Sequence, residues 1–235
     1  MRRMMTAALG LWLGCAGISL AQDTTNPVVV ELYTSQGCSS CPPADALLAE
    51  LAPREDVIAL ALHVDYWDYI GWKDSFAAPE YTMRQKAYAR AVGARSVYTP
   101  QIVVQGQEHL VGLRPMELAD LIRAHGAKPS PVRLTLERAG GAVRIRAEAL
   151  GNPLRRELIV QLVRYTPEEV VEIMHGENAG RRITYANIVT SWQPLGEWDG
   201  AAPLAMEAPA EGDGPTVVIL QEEGPGPILA AARLR

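Results

Sequence analysis

A chain of 235 residues, 48% hydrophobic and 21% charged, has ordinary globular composition and is long enough for one large domain or two modest ones. Its 22 basic residues against 27 acidic ones, a net charge of −5, do not suit a protein that must hold a nucleic-acid backbone.

The first element is a targeting segment. In "MRRMMTAALGLWLGCAGISLAQ", Arg2 and Arg3 precede an uncharged apolar run that ends on Ser19-Leu20-Ala21. This is the form of a secretory signal peptide over residues 1–21, cleaved after Ala21. The run from Met4 is only slightly shorter than the ~20 residues of a membrane span, so a retained anchor is the alternative. A lipoprotein cut before Cys15 is a further one, although Trp12 stands three places upstream where an aliphatic residue is expected. Nothing after residue 21 is apolar for long enough to span a membrane. Cleavage removes two of the 22 basic residues and takes the net charge to −7. It also leaves only Cys38 and Cys41, in a periplasmic or secreted setting where disulfides persist.

The mature chain opens with alternating elements. Val28–Tyr33 is a β-rich run of the kind that forms a buried parallel strand. Ala44, Leu47, Leu48 and Leu51 mark one face of a helix whose first turn takes Pro42 and Pro43. Val57–Val64 is a second buried strand. The aromatic loop "DYWDYIGWKD" follows, then a helix from about Pro79 to Val92, with Glu80 and Lys86, Arg90 placed to suit its dipole. Gln101–Val104 and His109–Val111 form a hairpin, and Pro115 opens a helix that Gly126 ends. Beyond the proline-marked linker at 127–131 the pattern becomes short alternating strands with Gly and Pro turns. The expectation is an α/β domain over 22–126, with an insert at about 65–95, followed by an antiparallel all-β, sandwich-like domain over 132–235.

The chemistry is concentrated in "SQGCSSCPPAD". Three readings of Cys38 and Cys41 are open. As a staple, so short a ring stabilises by only roughly 2 kcal/mol, and a chain of this length does not need it. As a metal site, two thiolates are half a tetrahedral shell, and His63 is a candidate third ligand for copper or zinc. As a redox pair, both sulfurs lie where a strand meets a helix N-terminus, whose amides and dipole stabilise a thiolate. Cys38, expected to be the more exposed, would attack, and Cys41 would resolve.

Thr99-Pro100 stands just before the third strand, and Glu31 is the one charged residue in the first. Together with the Cys-x-x-Cys after strand one and the closing hairpin and helix, this resembles the thioredoxin fold over about residues 27–126. The resemblance implies a cis bond before Pro100, a Thr99 backbone free to pair with substrate, and a buried Glu31 that accepts the Cys41 proton. A solvent-facing Glu31 at a strand edge is the alternative. Two features depart from that pattern. Gln36-Gly37 replaces the tryptophan that precedes the motif in thioredoxins, and the aromatic insert lengthens the path to Pro100. Over nearly the whole mature chain, "ELYTSQGCSSCPPAD…HVDYWDYIGWKD…YTPQ", "GENAGR" and "NIV" are similar to a family of uncharacterised secreted bacterial proteins, domain of unknown function 1223.

The expected function is an exported thiol–disulfide oxidoreductase acting on protein or small-molecule thiols, with no cofactor beyond its own disulfide, no nucleic-acid partner and no membrane span in the mature chain. A copper or zinc module using Cys38, Cys41 and His63, and a non-catalytic binding scaffold, are the alternatives. Tyr66, Trp67, Tyr69 and Trp72 either line a groove beside the cysteines or seal the insert against the core. His175, Glu177, Asn178, Arg181 and Arg182 are expected in a hairpin tip with no assigned chemistry.

Overall fold

The structure is a computed structural model that describes residues 26–235 except 152, 153, 155 and 211. The proposed signal peptide therefore lies outside the described residues. In chain order the elements are β1 (Val28–Thr34), α1 (Pro42–Leu51), β2 (Val57–His63), a single 3-10 segment (Asp65–Ile70), α2 (Pro79–Ala91), β3 (Gln101–Val104), β4 (Glu108–Val111) and α3 (Pro115–Gly126). The second half is all strand: β5 (Val132–Ala139), β6 (Ala142–Ala149), β7 (Leu158–Glu172), β8 (Arg182–Trp198), β9 (Leu204–Pro209), β10 (Thr216–Glu222) and β11 (Ile228–Leu234).

Each of the three α-helices among the described residues starts on a proline, which fixes a helical φ and lacks only an amide that would have no partner in the first turn. β1 and β2 are buried at every position because both faces of the sheet are covered, which explains their unbroken apolar runs. Side chains alternate between those faces. Val28, Val30 and Leu32 pack with Ala44, Leu48, Leu118 and Ile122 of α1 and α3. Val29 and Tyr33 pack on the other side with Tyr81 and Tyr88 of α2.

Eight strands share one sheet in the order β11-β10-β7-β8-β2-β1-β3-β4, and β5, β6 and β9 make a second, three-stranded sheet. β1 runs parallel to β2 and antiparallel to β3. Two sheets do pack face to face in the second half, through Val143, Ile145, Val160, Leu162, Val218 and Leu220. The expectation of a sandwich separate from the α/β part needs correcting, however, because β7, β8, β10 and β11 extend the first sheet. The junction is β2 beside β8, parallel at Ala61 and Ile188. Local periodicity marks a strand as buried but does not say which edge it joins. Asn187, at φ 49°, fills the sparse ladder there by donating its side-chain amide to the Ala59 carbonyl at 2.9 Å. Among the described residues no helix is long and apolar enough to cross a membrane.

Candidate functional site

Between β1 and α1 the backbone tightens through successive turns, with the Cys38 amide on the Ser35 carbonyl (3.1 Å) and the Cys41 amide on the Cys38 carbonyl (3.2 Å). Cys41 is the N-cap residue of α1 and already has a right-handed helical backbone. The two cysteines form a disulfide with their Cα atoms 5.4 Å apart. Ser39 and Ser40 are exposed, but Cys38 is 1% and Cys41 0% accessible. The expected exposure of Cys38 is therefore not found.

The cover comes from the far end of the chain. The tip of the β7–β8 hairpin places Asn178, itself buried, so that its amide donates to the carbonyls of Gln36 (2.9 Å) and Cys38 (3.0 Å). Beside it, Gly176 has φ 79° and lies so close to Trp72 that an added Cβ would come within 3.3 Å of the Trp72 Cβ. Asn178 thus lies in the hairpin tip expected for "HGENAGRR", with a contact to the cysteine loop that was not expected. No local pattern marks it, because an asparagine in a glycine-rich turn is normally read as a turn former.

The aromatic insert fastens the same loop from the other side. Trp72 Nε1 donates to Gln36 Oε1 at 2.7 Å, and Trp67 Nε1 donates to Thr99 Oγ1 at 2.7 Å. Tyr66 and Trp67 pack on the core, whereas Tyr69 is exposed and stacks on Trp67. The Thr99-Pro100 bond is cis. A Cβ on Gly112 would meet the Pro100 Cβ at 2.8 Å and the Ala44 Cβ at 2.9 Å, so Pro100 is held close to the first turn of α1. Thr99, Pro100, Trp67 and the cysteine loop therefore share one end of the sheet.

Glu31 does not belong to that group. It is buried on the face of β1 opposite α1, between residues whose side chains face the helix. Arg84 binds both of its oxygens at 2.8 Å, and the hydroxyls of Tyr33 (2.9 Å) and Tyr88 (2.7 Å) donate to it as well. Burial, reinforced by the Glu31 charge, pushes both tyrosines far above their ordinary range, so they remain donors. The structure supports neither a solvent-facing Glu31 nor one placed to take a proton from Cys41.

His63 is also engaged elsewhere. Its Nδ1 lies 2.7 Å from Asp74 Oδ2, and both side chains are fully buried. Asp74 already accepts the amides of Gln36 (2.8 Å) and Phe76 (2.9 Å), so the His63 nitrogen facing it carries the proton. Among the described residues no three His, Cys, Asp or Glu side chains are grouped to hold a metal ion, so the trio of Cys38, Cys41 and His63 does not form.

His63 pairs across the ladder with Thr34, and the Thr34 hydroxyl donates to Asp45 of α1 at 2.7 Å. Burial pushes the Asp45 carboxyl up to about 7, against the pull of His63 and of the Thr34 hydrogen bond and with a smaller push from Asp74. The Tyr185 ring of β8 lies 5.0 Å from that of His63, and its hydroxyl is raised by burial and then by Asp45 and Asp74. Asp45 Oδ2, His63 Nε2, Tyr185 Oη and Asn178 Oδ1 are buried with no hydrogen-bond partner among the described residues. Asp45 was not singled out from the sequence; the signal that could have found it is a charge four residues after Cys41 and three before Leu48, at the border of the helix's apolar stripe.

Residues 29–221 match the family described as "Protein of unknown function (DUF1223)". Protein AGR_C_4864 from Agrobacterium tumefaciens, known from an X-ray crystal structure, is 36% identical, with 91% of this chain and 96% of that one covered and a TM-score of 0.78. HBP35 of Porphyromonas gingivalis has a TM-score of 0.66 over 90% of this chain and 76% of that one, and at 14% identity that likeness shows the fold alone. No curated protein matches the chain.

Proposed function

The chain belongs to the DUF1223 family of proteins of unknown function, and we propose from its site that it is an exported, thioredoxin-like thiol–disulfide oxidoreductase working through Cys38-Ser39-Ser40-Cys41. The observation that carries this is the position of the disulfide. It links no distant elements, closes a ring too short to stabilise a large fold much, and sits where α1 begins. A thiolate released there is favoured by the helix dipole. The order β2-β1-β3-β4, with α1 and α3 on one face and α2 on the other, supports the thioredoxin-like reading of the first half.

In the oxidising direction, a substrate thiolate attacks Cys38 Sγ. The Cys38–Cys41 bond breaks, a mixed disulfide forms, and Cys41 leaves as a thiolate that takes up one proton. A second substrate thiolate then attacks the substrate sulfur of the mixed disulfide and releases Cys38. Two substrate thiols become one disulfide as the protein's disulfide becomes a dithiol, and reduction runs the same steps backwards. The substrates are protein or small-molecule thiols. Cys38 is buried in a loop that Asn178 holds by its backbone, so that loop must loosen for substrate to reach the sulfur.

Replacing the resolving thiol is the direct test. Cys41→Ser should accumulate mixed disulfides through Cys38, seen by non-reducing electrophoresis and mass spectrometry, and Cys38→Ser should abolish them. Equal trapping by both variants, or by neither, contradicts the assignment.

A further inference from the structure

We propose that Asp45 is the proton acceptor and donor for Cys41, in a buried polar cluster with Thr34, His63, Asp74 and Tyr185. This rests on the oxidoreductase reading and supplies the step it leaves open. When the disulfide opens, Cys41 must take a proton while wholly buried, where water cannot supply one and an isolated thiolate is strongly disfavoured.

Asp45 is placed for that transfer. It lies one helical turn beyond Cys41, its amide bonds the Cys41 carbonyl at 3.1 Å, and residues so spaced share a helix face with Cβ atoms about 5–6 Å apart. One carboxyl oxygen is committed to Thr34, and the other, Oδ2, is buried and unpartnered. A buried carboxyl oxygen with no donor is costly unless it carries or receives a proton. Its position near 7, set first by burial, lets the group do either at neutral pH.

The groups facing Asp45 from the surrounding elements are Thr34 from β1, His63 from β2, Asp74 from the segment before α2 and Tyr185 from β8. Asp74 fixes the His63 proton on Nδ1 and leaves Nε2, like Tyr185 Oη, buried without a partner. Unpartnered buried polar atoms thus stand on α1, β2 and β8, with the His63 and Tyr185 rings 5.0 Å apart. On reduction the Asp45 proton passes to the Cys41 thiolate, leaving a carboxylate that still accepts the Thr34 hydroxyl. On oxidation the carboxylate removes the Cys41 proton as its sulfur attacks the mixed disulfide. Glu31, saturated by Arg84 and two tyrosines on the opposite face, has no access to either step.

The test is the pH dependence of the Cys38–Cys41 reduction potential in the full mature protein, with turnover of a model protein disulfide followed in parallel. Linkage between Asp45 and Cys41 should bend the potential–pH line near pH 7 in the wild type. Asp45→Asn should remove the bend and slow resolution of the mixed disulfide roughly 10²–10⁴-fold, while the first attack on Cys38 changes only a fewfold. Glu31→Gln should leave the bend in place. Thr34→Val, which removes a donor to the carboxylate, should move the bend to higher pH and serves as the second variant if Asp45→Asn does not fold. A bend that survives Asp45→Asn, or fails to move in Thr34→Val, overturns the Asp45 assignment while turnover upholds the oxidoreductase. A bend that Asp45→Asn removes in a protein without turnover upholds the coupling and defeats the oxidoreductase instead.

Discussion

Two buried carboxyl groups stand on opposite faces of the same sheet and differ in almost everything but burial. Glu31 is surrounded by donors: a guanidinium grips both oxygens and two tyrosine hydroxyls complete the shell. Asp45 has one hydroxyl on one oxygen and nothing on the other, with an imidazole and a second carboxylate nearby. A buried charge whose bonds are all made is a structural element, because protonating it or removing its partner breaks a network. A buried acid with a free oxygen changes protonation state at far lower cost and is therefore where proton chemistry belongs.

The largest effect should come from breaking the saturated side. Arg84→Met leaves Glu31 buried without its cation and also removes the guanidinium stacked 3.9 Å from the Trp192 ring centroid. A loss of about 3–5 kcal/mol is expected from denaturant titration, and a loss below about 1 kcal/mol would mean that the pair is dispensable.

The unsaturated side should respond with the opposite sign. The folded-state Asp45 carboxyl lies near 7, above its ordinary 3.8, so the folded protein binds more protons than the unfolded chain between those values. The stability this contributes is fully present below about pH 4 and is lost as pH rises to about 7. Asp45→Asn should therefore gain on the wild type by roughly 2–4 kcal/mol between pH 4 and pH 8, measured as the difference of their unfolding curves. A gap that does not change with pH would place the Asp45 carboxyl at its ordinary value and erase the contrast with Glu31.

A smaller effect is expected at the cover, which belongs to neither carboxylate. Asn178→Ala removes two hydrogen bonds, worth about 1 kcal/mol each, that hold the hairpin tip on the cysteine loop. Opening should become about ten- to thirtyfold more frequent, read as faster reduction of the disulfide by a small thiol. An unchanged rate would show that Asn178 does not gate Cys38.

How much of this was legible in the sequence follows from the range of the interactions concerned. Apolar strands buried on both faces, and helices opened by Pro42, Pro79 and Pro115, are local signals, and the element order of the first half follows from them. That β8 would lie beside β2 is a pairing across more than half the chain, and alternation in "ITYANIV" says nothing of its neighbour. The cysteines and Thr99-Pro100 stand out in the sequence and meet at one end of the sheet. Glu31 stands out equally and misled, because one residue along a strand reverses the face on which a side chain lies. Asp45 carried a more useful signal that went unread, a charge bordering an apolar helical stripe. Asn178 carried none, since what it binds is the backbone of a loop about 140 residues away.

The redox assignment itself is tested most directly by equilibrating the wild-type protein with glutathione buffers and trapping thiols to obtain the Cys38–Cys41 reduction potential. A reversible couple between about −120 and −270 mV is expected, the range of working oxidoreductases. A value below about −300 mV would mark the bridge as an inert structural staple and contradict the proposed function.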